Sequence, residues 1–179
     1  MGIRPVVKYP NPVLREKARE VEGLTPEIEC LLKDMLETME AAKGVGLAAN
    51  QVGVPLRVFV FDPRVQEGSP LKAPVGVVNP KILEASGTIL WEEGCLSFPG
   101  IELNITRSER IVLDGLTQDG QPLGGIELDG LLAVCAQHEV DHLDGVLFID
   151  HVSKLKREIA LKRYLSPCQK EHDHGKAHF

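Results

Sequence analysis

Apolar positions along the chain recur with different periods in different stretches, and those periods outline a fold. Ile28, Leu31, Leu32, Met35 and Met39 recur at helical spacing, with Thr25-Pro26 as a helix start and Lys43-Gly44 as a stop. Two β-rich runs follow, residues 57–62 (RVFVFD) and 75–80 (VGVVNP), each ended by turn residues. A third, ERIVLDGLTQDGQPLGG, runs into a turn at Asp119-Gly120. A second helix is expected from the N-cap Asp129 through GLLAVCAQHEVDHL to a stop near Gly145. Its first turns are apolar almost all round, so it belongs inside the protein. A third helix opens at Ser153 and carries Lys154, Lys156, Arg157, Lys162 and Arg163.

Helices that bracket a run of strands, without regular β-α-β alternation, imply an α+β domain. The expected architecture is a mostly antiparallel or mixed sheet packed around the buried helix, with N-terminal and C-terminal helices. No internal repeat or linker divides the chain. Residues 1–168 are therefore expected to form one domain, and residues 169–179 (QKEHDHGKAHF) a polar, His-rich tail without order of its own.

Composition narrows the partners. A chain of 179 residues can bury one sizeable core, about 70% of its extended surface at this size. A net charge of -6 argues against an extended nucleic-acid footprint, which needs clustered Lys and Arg. No run approaches the roughly 20 apolar residues that cross a bilayer. The opening MGIRPVVKYPNP lacks the apolar core of a signal peptide, and Val6 stands where a myristoylation signal wants Ser or Thr. The expectation is a soluble, intracellular protein without membrane or specific nucleic-acid partners. Cys30, Cys95, Cys135 and Cys168 show no CxxC pairing, and a chain of this length needs no disulfide.

The buried second helix also carries QHEVDHLDG, residues 137–145. Residues four apart on a helix are separated by about 40° and about 6 Å, so His138 and His142 can aim at one point. Glu139 lies on the flank of that face, where it can take a proton from a water activated there. A buried apolar helix with three polar groups on one face needs something to satisfy them, and a metal ion does so. Three protein ligands would leave a catalytic position open, whereas four would close the site.

The remaining ligands are less legible. His151 lacks the H-E-x-x-H-x-x-G-x-x-H spacing and reads as a polar residue ahead of the third helix. Cys135 lies seven residues before His142, about 10.5 Å along a helix, and leans away from it, so it reads as pocket wall or core. Cys95 sits in EEGCLSFPG, where Gly94 permits close backbone approach and Pro99-Gly100 a turn. On its own that segment is equally an ordinary Gly-Cys loop.

Taken together, GVGLAANQVG (residues 44–53), EEGCLSFPG (92–100) and QHEVDHLDGVLF resemble the three motifs of the peptide deformylase family, G-x-G-L-A-A-x-Q, E-G-C-L-S and Q-H-E-x-D-H. They occur in the same order, and YPNPVLREKAREV resembles the family's N-terminal segment, so the likeness extends to about residue 165. The resemblance implies removal of the formyl group from the N-terminal formylmethionine of new polypeptides, with release of formate. It implies one divalent ion, Fe2+ in the cell, with Zn2+, Ni2+ or Co2+ also able to occupy the site; a thiolate beside two imidazoles suits all four.

Carried onto matching positions, it makes Cys95, His138 and His142 the metal ligands and Glu139 the general acid and base. The Gln51 side-chain amide and the Leu96 backbone N–H become donors to the tetrahedral oxyanion. Val45 and Gly46 on one side and Gly94 on the other would pair with an extended substrate as an added strand. The glycines of GVGLAANQ are no phosphate loop, since no Lys-Ser or Lys-Thr follows at the required spacing. A methionine pocket would draw on Val45, Leu131, Cys135 and His138, and Arg107 matches an arginine near the substrate. Phe98, where relatives carry a smaller aliphatic residue, is expected at the pocket rim. The basic third helix resembles one that docks on the ribosome, although such a run is more commonly a solvated face. The implied compartment is the bacterial cytoplasm or an organelle. Two other functions fit the histidine pair: a zincin-like peptidase and a non-catalytic, metal-stabilised module that binds formylated peptides.

Overall fold

The computed structural model describes residues 2–166. The expected tail at 169–179, and Cys168, lie outside the described residues.

The first helical period forms α1 (Pro26–Ala41), with Thr25 as N-cap, Pro26 in the first turn, and Leu31, Leu32, Met35 and Met39 buried. It ends where the Gly44 N–H reaches the Met39 carbonyl at 2.9 Å and Lys43 turns to φ 55. Five strands make an antiparallel sheet: β1 (Gly46–Ala48), β2 (Val58–Phe61), β3 (Val75–Ser86), β6 (Arg110–Thr117) and β7 (Ile126–Asp129), side by side in that order. Between β3 and β6 the chain makes an antiparallel pair of its own, β4 (Ile89–Gly94) with β5 (Glu102–Arg107).

Strand β2 shows why the sheet is central. Successive side chains of a strand point to opposite faces. Val58 and Val60 join α1 in one cluster with Leu31, Leu32, Met35 and Val78, whereas Phe59 and Phe61 join a second with Leu113, Leu132 and Cys135. VFVF is therefore continuously apolar because both faces are covered. The second cluster seats α2 (Gly130–Leu143), whose Leu132, Ala133, Val134, Cys135, Ala136 and Leu143 are buried along with its catalytic-type residues, as its all-round apolarity predicts. A third cluster, around Leu14, Ile105, Phe98 and Phe148, lies beneath Cys95.

Two departures from the sequence expectations have local causes. The run 75–80 does not stop at Asn79-Pro80 but continues to Ser86 as β3. Asn79 takes φ 50 at a register shift between Val78 and Lys81, a bulge rather than a turn, and its side chain pairs with both the N–H and C=O of Val21 at 2.8 Å. Asp129 caps α2 without a side-chain hydrogen bond to the helix. Gln66 serves instead, accepting from the Leu132 N–H at 3.3 Å and donating to Asp129 Oδ1 at 2.6 Å. Helix α3 (Lys154–Tyr164) begins as expected, with Ser153 Oγ accepting from the Lys156 N–H at 3.4 Å. None of the helices among the described residues is long and apolar enough to cross a membrane.

The end of α2 depends on Gly145, which combines φ 73 with a backbone neighbour so close that an added Cβ would stand 2.5 Å from the Arg15 carbonyl oxygen. Both the left-handed backbone and the overlap penalise a side chain. Gly145→Ala is expected to cost at least about 2 kcal/mol, lowering the melting temperature by at least about 4 °C. A thermal melt within 1 °C of the parent would contradict this account of the turn.

Candidate metal centre

Three stretches of chain converge on one face of α2. The end of β4 delivers Glu93, Gly94 and Cys95; β1 and the 3-10 turn after it, Ala49–Val52, deliver Gly46 and Gln51; the helix supplies His138, Glu139 and His142. Cys95, His138 and His142 are buried, and one ligand atom from each lies within 4.8 Å of the others. Cys95 Sγ is 3.3 Å from His142 Nε2, near the separation of about 3.5 Å expected for tetrahedral neighbours with metal–sulfur and metal–nitrogen bonds of about 2.3 and 2.0 Å. The four-residue spacing thus does what it promises, and Cys95 arrives from a distant part of the sequence.

The second carboxylate of the site was not foreseen. Glu93 is fully buried and accepts from His138 Nδ1 at 2.8 Å, from Arg107 Nε at 2.7 Å and from Arg107 Nη2 at 3.0 Å. Burial alone would raise its pKa, but the bonds from His138 and Arg107 outweigh that and bring it down to about 2. With Nδ1 engaged, the opposite edge of the His138 ring is the one available to a metal. Alternation along β4 carries a signal for this: Leu90 and Glu92 are exposed while Trp91 and Glu93 turn inward.

Glu139 has the opposite environment. Both its carboxylate oxygens are buried without a hydrogen-bond partner, as is Nδ1 of His142. Burial first, and the Glu93 charge second, push its pKa well above the ordinary value. Burial likewise depresses the basicity of His142 and raises the Cys95 thiol, which the Ser97 backbone N–H partly offsets. A cavity that disfavours a thiolate, a carboxylate and a protonated imidazole suits a bound cation, which stabilises the first two and requires the imidazole neutral. The residues present therefore fit a divalent metal ion.

Gln51 is oriented by its neighbours. Its Oε1 accepts from the Ala48 N–H at 2.8 Å, which leaves Nε2 facing Cys95 Sγ at 3.6 Å and Ser97 Oγ at 3.3 Å. Leu96 follows Cys95, is buried, and has its carbonyl held by Lys8 Nζ at 2.5 Å. Gly46 packs directly on Glu139: an added Cβ would lie 2.6 Å from its Oε1 and 2.7 Å from Cys135 Sγ. The glycine thus serves the carboxylate as well as any backbone partner. Val45 and Cys135 share one buried cluster, and the half-buried Leu131 packs against it. Gly94 is buried at the last position of β4.

Two residues stand elsewhere than expected. Arg107 is buried with its guanidinium committed to Glu93 and, through Nη1, to Asp141 at 2.5 Å, so it braces the site from behind. Phe98 is not on a pocket rim: it is 1% exposed, stacked on Tyr9 with ring centres 4.8 Å apart and edge-on to Phe148.

Fold and site together define a class: a single-domain α+β protein with a buried Cys-His-His group that could hold one metal ion. A family model described as polypeptide deformylase matches residues 3–158. A peptide deformylase of Phenylobacterium zucineum is 49% identical over 164 residues, covering 91% of this chain and 95% of that protein. One from Agrobacterium fabrum is 46% identical over 165 residues, covering 92% and 95%. The crystal structure of peptide deformylase from Ehrlichia chaffeensis in complex with actinonin aligns with a TM-score of 0.84 at 40% identity, covering 91% of this chain and 96% of that one. The chain belongs to the polypeptide deformylase family.

The strained carboxylate yields a stability prediction for the metal-free protein. A folded-state pKa raised above the unfolded 4.5 means that the folded form holds the proton more tightly, so stability falls as pH rises above about that value. Glu139→Gln, which cannot ionise, is expected to be more stable than the metal-free parent well above pH 4.5, by about 1–3 kcal/mol, with the gap in melting temperature closing as pH falls towards it. A variant less stable than the metal-free parent across this range would overturn the assignment.

Proposed function

We propose that Cys95, His138 and His142 hold one divalent ion, Fe2+ in the cell, and that Glu139, Gln51 and Leu96 perform the removal of the formyl group from N-terminal formylmethionine. The observation that carries this reading is the convergence of the three ligand atoms within 4.8 Å of one another beside a buried carboxylate that has no hydrogen-bond partner. When bound, the ion supplies Lewis acidity that makes a water nucleophilic and polarises the formyl oxygen. Glu139 takes the proton of the attacking water and later gives it to the departing amine, a double task suited to a carboxyl with raised pKa. Gln51 Nε2 and the Leu96 N–H donate to the oxygen on which negative charge develops. Formate and a free amino terminus result.

Strand pairing is the mode of substrate binding in this reading. Strand β1 ends the five-stranded sheet and β4 belongs to a separate pair, so each has an edge without a strand partner among those described. An extended peptide laid against Val45 and Gly46 on one side and Gly94 on the other makes backbone hydrogen bonds that read no side chains. The first side chain would enter an apolar pocket drawing on Val45, Leu131 and Cys135, beside His138. The exposed Lys154, Lys156, Lys162 and Arg163 of α3 support a transient contact with the ribosome, and the bacterial relatives support action in the bacterial cytoplasm.

Among the described residues three candidate ligands converge rather than four, which favours catalysis over a structural or purely binding role. Formate release from a formyl-Met-Ala-Ser peptide tests the reading. Metal-loaded protein should release formate, and Glu139→Gln should lose about 100-fold or more of the rate. Absence of release, or equal release by the variant, would sink it. Internal peptide cleavage unaffected by Cys95→Ser would instead favour a zincin-like peptidase. The choice of ion has its own test: with Fe2+ and the Cys95 thiolate together, exposure to peroxide should abolish activity, and full activity after long exposure would point to another metal.

A further inference from the structure

Behind His138 the row of charged groups does not stop at Arg107. Arg107 Nη1 donates to Asp141 Oδ2 at 2.5 Å, and the same oxygen lies 2.7 Å from His151 Nε2, which is itself 3.4 Å from Arg107 Nη1. Side-chain exposure rises steadily outwards, from 0% at Glu93 through 4% at Arg107 and 24% at Asp141 to 34% at His151. The outer end lines a surface cavity of about 430 Å³. Four elements are joined in this way: β4 by Glu93, β5 by Arg107, α2 by both His138 and Asp141, and the 3-10 turn Phe148–His151 by its last residue.

Geometry gives the array its direction. His138 and Asp141 are three residues apart on α2, so the helix grips the Glu93–Arg107 pair at two points, once at each end. A guanidinium is a planar fork, and fixing Nη1 at Asp141 fixes how Nε and Nη2 meet Glu93. The Glu93 carboxylate then sets the rotation of the His138 ring. Asp141 is the one partly exposed link of the three charges, and His151 is the donor that completes it against water.

We propose that Asp141 and His151 are positioning residues of the metal centre: His151 holds Asp141 in the rotamer that locks Arg107, and through Glu93 this fixes the imidazole of His138 towards the ion. The inference rests on the reading of Cys95, His138 and His142 as ligands. It assigns a task to a histidine whose place in the sequence, ahead of α3, suggested only a polar boundary.

The test is the rate at which a chelator strips Zn2+ from the loaded full-length protein. His151→Ala should release the ion about threefold to tenfold faster than the parent. His151→Gln, whose side-chain N–H reaches a similar point, should bring the rate back to within about twofold of the parent, a rescue that loss of generic packing would not show. In an Arg107→Lys background, where the fork is gone, His151→Ala should add nothing further. Formate release should fall in kcat with KM unchanged. Failure of the parent itself to bind Zn2+ would defeat the ligand reading. A parent that binds the ion, with a His151→Ala variant that loses it at the same rate or with effects that add in the Arg107→Lys background, would defeat the positioning role alone.

Discussion

The site is built around one buried ion pair. Glu93 and Arg107 meet with 0% and 4% of their side chains exposed, in surroundings where a lone charge would cost several kcal/mol. Because neither can be left unpaired, the pair fixes everything attached to it. It clips β4 to β5, carries Cys95 two residues further along, and through His138 ties both strands to α2. A ligand set drawn from a loop and a helix can be held to a few tenths of an ångström only by such a second layer. The same pair separates the two glutamates of the site. Glu93, held by donors from His138 and Arg107, stays ionised, whereas burial pushes the Glu139 carboxyl upward.

A second set of bonds keeps the two loops in register with the helix. The N-terminal segment runs beneath them as a strap: the Val7 N–H reaches the Gln51 carbonyl at 2.7 Å, and the Tyr9 N–H reaches the Ser97 carbonyl at 3.0 Å. Between them the Lys8 ammonium holds the Leu96 carbonyl. Asn50, next to Gln51, donates to the Val13 and Glu16 carbonyls at 3.3 and 2.7 Å. The family-like N-terminal segment therefore holds in place the two loops that carry Gln51 and Cys95. Tyr9, Phe98, Phe148 and Tyr164 pack together under the Cys95 loop and give it a rigid floor.

Legibility in the sequence followed the length and regularity of each element. All three helices could be read: α1 from its period, since it buries one face, α2 from its all-round apolarity, since it is buried almost throughout, and α3 from its serine N-cap. Strands β1, β4, β5 and β7 went unread. β1 and β7 are only three and four residues long, and β4 and β5 only six each, too short for an alternating pattern to stand out from the loops around it. His138 and His142 were visible by spacing alone. Cys95 was not, since a residue brought to the histidines from 43 positions away leaves no local trace; its motif was recognisable only by likeness to a family. Glu93, Ser97 and Asp141 were missed because their roles consist of contacts across elements. Arg107 was noticed but assigned to the substrate, and its guanidinium proves to lie between two carboxylates.

The central claim is a centre with one thiolate, two imidazoles and one position left for water or substrate, held by residues from three parts of the chain. X-ray absorption spectroscopy of the metal-loaded protein reads that set directly. The account predicts a first shell of one sulfur at about 2.3 Å with nitrogen and oxygen neighbours at about 2.0–2.1 Å, the sulfur disappearing in Cys95→Ser. A shell without sulfur in the parent protein, or with two sulfurs and no oxygen, would contradict it.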